Sequence, residues 1–229
     1  MPKAQPKLWL IAGPNGAGKT TVTRTLPYST LLKSLRSLNP DDVSKDLLLQ
    51  RGGLTFSTAP AEVLKSTFIE AADLVFERAK IARRAGEAIC LETVLSTDKY
   101  RALVDIVLNE DGFFGLIYVA VASPEISAVR IAARVRAGGH DVPSDRLVAR
   151  WQRSLEQLPW FVNRATYVGV YDNSNEDPAV APTLIARKAK GFLQIFEPGL
   201  IPELTRSLQN ALPGGGRDVI RRFAISAAS

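Results

Sequence analysis

The chain of 229 residues is 46% hydrophobic and 23% charged, as expected of a globular protein with a buried core. A net charge of +6 and an isoelectric point near 9.6 point to an anionic partner such as a nucleotide, a nucleic acid or a membrane surface. A single cysteine and a single histidine exclude an internal disulfide and any His/Cys metal cluster, and the longest apolar run, 112–123, is too short to span a bilayer.

The first element is the β-like run LWLIA (8–12), preceded by the basic MPKAQPK. The run is too short for a signal-peptide core, and Cys90 within AICL suits a reducing compartment, so a cytoplasmic location is expected. It leads straight into GPNGAGKT (13–20), which satisfies G-x-x-x-x-G-K-[ST]. Gly13, Pro14, Asn15, Gly16, Ala17 and Gly18 would wrap a triphosphate with backbone N–H groups, and glycines allow the close approach. The helix beginning near Thr20 and Thr21 would add its unpaired N–H groups and positive dipole end. Lys19 would bridge the β- and γ-phosphates of ATP, and the Thr20 hydroxyl would ligate Mg²⁺.

Next comes SLNPDDVSK (37–45), with two carboxylates at the expected end of a second strand. Asp41 there could accept the proton of an attacking hydroxyl and face Mg²⁺; alternatively Asp41 or Asp42 caps the helix VSKDLLLQ. Apolar positions 64, 68, 71, 74, 75, 79 and 82 predict a helix over 62–86 with Gly86 as its C′ residue. The strand AICLE (88–92) brings Glu92 and Thr93 to its carboxyl end. That is where open α/β sheets bind ligands, and the pair suits hydrogen bonds to a sugar; a helix cap by Thr93 or Ser96 is the alternative.

A helix over 98–109, a strand over 115–121 and a helix from Ser123 and Pro124 to 136 follow. Arginines 130, 134, 136, 146, 150 and 153 lie on two helices joined by AGGHDVP, which predicts an arginine-rich helical lid over the phosphates. His140 within that linker contacts substrate or braces the loop. The strand TYVGVYD (166–172) completes a run of apolar strands separated by helices, so the expected fold is α/β: a three-layer P-loop fold, its parallel sheet covered on both faces. Past residue 190 the pattern weakens. A kinase domain over 1–190 and an appendage over 191–229 are expected, with PGGG (213–216) as a hinge and a basic tail flexible after Pro213.

GPNGAGKT, LNPDD, ICLET, RVRAGGHDVP with RWQRSL, and YDNS (171–174), in this order, resemble the zeta toxin family of P-loop kinases. The likeness runs over roughly residues 7–190 and is strongest to the bacterial UDP-N-acetylglucosamine kinase branch. It implies phosphoryl transfer from ATP to the 3′-hydroxyl of a UDP-linked amino sugar. Lys19 would hold phosphate, Thr20 magnesium, and Asp41 would be the general base, serving the metal too because no ordinary Walker B aspartate is visible. Glu92 and Thr93 match the substrate-binding strand end, and Arg130 or Arg134 the arginine clamp. The resemblance also implies a toxin whose antitoxin protein would cover the nucleotide site. Two rivals stay open: a kinase of another hydroxyl, including a nucleic-acid end, and a nucleotide-gated RNA-binding module. An aromatic content of 7% without aromatic–basic alternation speaks against nucleic acid.

Overall fold

The computed structural model describes residues 5–25, 29–139, 141–177 and 179–211. His140 and the expected hinge and tail after Pro213 therefore lie outside the described residues.

The apolar run at the start forms β1 (Lys7–Ala12), which the P-loop joins to α1 (Lys19–Thr25) and then α2 (Ser29–Ser34). A short β2 (Arg36–Leu38) precedes α3 (Pro40–Gln50) and the long α4 (Ala61–Arg84). Then follow β3 (Ile89–Thr93), α5 (Arg101–Asn109), β4 (Phe113–Ala120), α6 (Pro124–Arg136), α7 (Ser144–Arg164) and β5 (Tyr167–Asp172). The described chain closes with β6 (Thr183–Ala189), β7 (Phe192–Ile195) and α8 (Pro202–Gln209).

The strands form one sheet in the order β2-β3-β1-β4-β5-β6-β7. The first five are parallel; β6 and β7 are antiparallel additions at one edge. Alternation along β1 divides its side chains between two apolar layers. Leu8, Leu10 and Ala12 join Leu91, Leu116 and Tyr118 in a core covered by α4, α5, α7 and α8. Trp9 and Ile11 join Cys90, Ile117 and Val119 in a second layer with Val22 of α1 and Leu32 of α2. Burial on both faces is why β1 and β4 read as continuous apolar runs. The result is the expected three-layer α/β arrangement of a P-loop kinase-like fold.

Three local features differ from the sequence expectation. α5 begins at Arg101 behind Tyr100, whose backbone is already helical, so neither Thr93 nor Ser96 caps it. Helix α3 begins earlier than VSKDLLLQ, with Pro40 in its first turn. The expected domain boundary near residue 190 falls in the turn between β6 and β7, which pair from Ala189–Phe192 to Ala186–Ile195. Leu193, Ile195, Ile201, Leu204 and Leu208 all lie in the main core, so residues 192–211 pack as part of the same unit.

Candidate active site

The groups of the site gather at the carboxyl ends of the parallel strands β1 to β5 and on the helices α1, α3, α6 and α7. β1 ends at Ala12, paired with Thr93 on one side and Tyr118 on the other. The loop after it is held so close to β4 that a Cβ on Gly13 would lie 2.1 Å from the Val119 carbonyl oxygen, and φ there is +141°. Gly18, at φ +82°, lies under a side chain instead, and a Cβ would stand 2.5 Å from Asn173 Nδ2. That amide donates to the Ala17 carbonyl at 2.8 Å, so the loop after β5 clasps the P-loop from the side. Pro14 and Ala17 are buried, Asn15 and Gly16 half-buried, and Thr20 and Thr21 exposed at the start of α1.

Lys19 is folded inward. Its Nζ donates to the carbonyls of Gly13 at 3.0 Å and Pro14 at 3.2 Å. Burial holds its pKa below the ordinary lysine value; Glu92 and Asp41 oppose that shift, and the nearby Arg134 adds to it. A buried ammonium between carbonyls, with two carboxylates and an arginine near, is ready for an anion of higher charge.

Glu92, at the end of β3, is the hub on the other side. Its Oε2 accepts from Thr20 Oγ1 at 3.1 Å and from Asn39 Nδ2 at 3.3 Å. The sequence places Glu92 and Thr93 together on the sugar; the geometry separates them. Glu92 meets the P-loop threonine, whereas Thr93 Oγ1 accepts the Leu95 N–H at 3.0 Å in the turn that follows. Thr20 and Glu92 offer hard oxygen donors that fit Mg²⁺, which takes one or two protein ligands and completes its shell with phosphate and water. Among the described residues no group of three His, Cys, Asp or Glu side chains could hold a metal by itself.

Asp41 does not end a strand. β2 stops at Leu38, and Asn39, extended at φ −123° and ψ 122°, accepts the Asp41 N–H on its side chain at 2.9 Å. Asn39 is thus the N-cap, Pro40 fixes the next φ, and both aspartates fall in the first turn of α3, where the helix dipole favours negative charge. Neither Asp41 nor Asp42 is the cap. Asp41 is half-buried and its charge acts on Lys19 and on Arg150, while Asp42 is exposed.

The two arginine-bearing helices α6 and α7 lie over this assembly. Arg130 donates from Nη2 to the Asn175 carbonyl at 2.7 Å and from Nη1 to the Gly16 carbonyl at 3.5 Å. Partial burial lowers its pKa, against Asp172 and Glu176. Arg150 donates from Nη1 to Asn15 Oδ1 at 3.3 Å, its pKa lowered by burial and by Arg146 and Arg153, with Asp41 opposing. Arg136, Arg146 and Arg153 are exposed. The structure therefore brings together Lys19, Thr20, Asp41, Glu92, Arg130, Arg134 and Arg150.

Arg150, Asn39 and Asn173 were not singled out by role from the sequence. Asn-Pro ahead of a helical pattern is a readable cap signal, and Asn173 lies within the quoted YDNS. Nothing local distinguishes Arg150 from Arg146 or Arg153.

Strand order, glycine loop and buried lysine define a P-loop nucleotide-binding fold of the kinase-like kind. The family model described as AAA domain matches residues 8–158. The chain belongs to that family. No curated protein matches it in sequence. Among solved structures, a chain of the AvrRxo1-ORF1:AvrRxo1-ORF2 complex with sulphate ions is similar at TM-score 0.67 and 15% identity, over 89% of this chain and 64% of that one. The same complex with ATP gives the same values. A chain of the PezAT toxin–antitoxin system of Streptococcus pneumoniae is similar at TM-score 0.55 and 17% identity, over 74% of this chain and 68% of that one. The chain thus spans less than two thirds of the AvrRxo1 chains it matches, and these likenesses show the fold.

Proposed function

We propose that the protein is an ATP-dependent kinase that phosphorylates a hydroxyl of a small acceptor, of the UDP-linked amino-sugar class to which UDP-N-acetylglucosamine belongs. The observation that carries the reading is Asp41: a half-buried carboxylate whose charge acts on both the P-loop lysine and a lid arginine. A carboxylate so placed beside the P-loop lysine can take the proton of an attacking hydroxyl.

The P-loop N–H groups and Lys19 hold the β- and γ-phosphates. The acceptor oxygen attacks the γ-phosphorus, the bond from that phosphorus to the β–γ bridging oxygen breaks, and the hydroxyl proton passes to the Asp41 carboxylate. Arg130, Arg134 and Arg150 meet the charge spread over the transferring group. Thr20 and Glu92 would hold Mg²⁺, which when bound neutralises phosphate oxygens. In this reading Glu92 belongs to the phosphate end rather than to the sugar, and Thr93 is left on the acceptor side. A single cysteine, Cys90, buried as a free thiol, suits a reducing cytoplasm. Among the described residues no helix is long and apolar enough to cross a membrane.

The AvrRxo1 and PezAT structures are described as a two-component complex and a toxin–antitoxin system. By the same reading this chain would act as a toxin, restrained by a protein that covers the P-loop. The test of the chemistry is incubation with labelled ATP and a panel of UDP-sugars, nucleosides and RNA 5′ ends. Label on a UDP-sugar alone is expected; label on a nucleoside or RNA end replaces the acceptor class, and none on any compound overturns the kinase.

A further inference from the structure

Besides the bonds of Lys188 in β6 to its carboxyl end, helix α7 is tied just beyond the ends of three adjacent strands. Arg150 reaches Asn15 after β1, and Trp151 Nε1 donates to the Val121 carbonyl after β4 at 3.1 Å. The third tie is Ser154, whose Oγ donates to the Val94 carbonyl after β3 at 2.8 Å and lies 2.9 Å from the Tyr118 hydroxyl. The serine has one proton and gives it to Val94, so Tyr118 must be the donor to Ser154. Burial drives the Tyr118 pKa upward, which keeps that proton in place. Ser154 and Tyr118 are both fully buried in an apolar layer, where an unmatched hydroxyl would be costly.

The surroundings of this serine are unusual for a core filler. Val94 directly follows Glu92 and Thr93, and the next residue, Leu95, is buried with φ +61°, a conformation leucine adopts only where its surroundings hold it. That turn presents the Val94 carbonyl to α7. Arg150 and Ser154 are four residues apart, one turn along the same side of the helix.

We propose that Ser154 is a positioning residue: by tying α7 to the strand end that carries Glu92, it sets the register in which Arg150 meets the P-loop. The inference rests on the kinase reading of this site. Small misplacement of a charge that meets the transferring group is expensive, on the order of a hundredfold in rate for about 1 Å.

The test is a double-mutant cycle of Ser154→Ala and Arg150→Ala, with Tyr118→Phe as a milder variant that keeps the packing. Phosphoryl-transfer kcat, KM for Mg-ATP and amide hydrogen exchange are measured on each. Ser154→Ala is expected to lower kcat about tenfold or more with KM changed less than about threefold. It should cost almost nothing further in the Arg150→Ala background, because the serine acts through the arginine. Tyr118→Phe should show the same pattern more weakly. Multiplying losses in the double variant, or parental kcat in Ser154→Ala, overturns the proposal. If the parent transfers no phosphate to any acceptor, the kinase reading itself has failed, and exchange decides the positioning. Faster exchange over 145–153 in Ser154→Ala, with 157–163 unchanged, supports it; unchanged exchange in both segments overturns it.

Discussion

Lys19 is the residue on which the nucleotide site turns. Its buried ammonium lies between two loop carbonyls, and burial already works against its charge. A bound triphosphate would add more opposite charge than Glu92 and Asp41 bring to it, so Lys19→Ala should lose most of the thermal stabilisation by Mg-ATP while melting as one cooperative unit without it. Stabilisation equal to the parent's would remove the P-loop assignment. Asp41 carries a separate expectation. Asn there keeps size and one hydrogen-bonding edge but cannot take a proton, so Asp41→Asn should lower turnover on the order of a hundred- to ten-thousand-fold while Mg-ATP still raises the melting temperature. The neighbouring Asp42 is exposed in the same helical turn and Asp42→Asn should stay within a few-fold of the parent. An equal loss in both would mean that what matters is negative charge at the start of α3 rather than a base.

At the scale of the element, α7 shows where sequence reading stops. GPNGAGKT was legible because its meaning is local: contiguous residues form the loop, and the positive φ of Gly13, Gly16 and Gly18 belongs to the loop's own backbone. The two-helix lid was legible too, from arginine spacing around a glycine-rich linker. Which arginine of α7 reaches the P-loop was not, because that depends on how α7 crosses the sheet, and the crossing is set by Trp151 and Ser154 meeting carbonyls 30 and 60 positions away. The same holds for Glu92, whose partner Thr20 is 72 residues distant. The resulting expectation differs from the one based on spacing alone. Arg150→Ala should reduce kcat more than either Arg146→Ala or Arg153→Ala, by about tenfold or more, because only Arg150 is half-buried against the P-loop. Steady-state kinetics on the three variants check this, and equal effects of all three would return the lid to a diffuse basic face.

For the whole molecule, the informative segment is the one where the pattern fades. TLIARKA and FLQI are short and broken by Arg187, Lys188 and Gln194, and β7 is the edge strand, so the pair lacks the continuous apolar signature of β1 and β4. They nevertheless complete the layer beneath α7 and α8. Leu193, Ile195, Ile201, Leu204 and Leu208 are each at most 3% exposed. Ser207 Oγ donates to the Leu155 carbonyl, and Asn163 Nδ2 to that of Ala211, so α8 is fastened to the helix that bears Arg150. Burying such side chains contributes about 1.5–3 kcal/mol each, and the five together rival the ~5–15 kcal/mol by which a domain is stable. A chain ended after Lys190 would lose all of them and leave the outer edge of β6 unpaired. It should therefore fail to unfold cooperatively, bind a hydrophobic dye and show no stabilisation by Mg-ATP. A cooperative melt near the parental temperature would show that residues 1–190 stand alone and that β7 and α8 are an appendage after all.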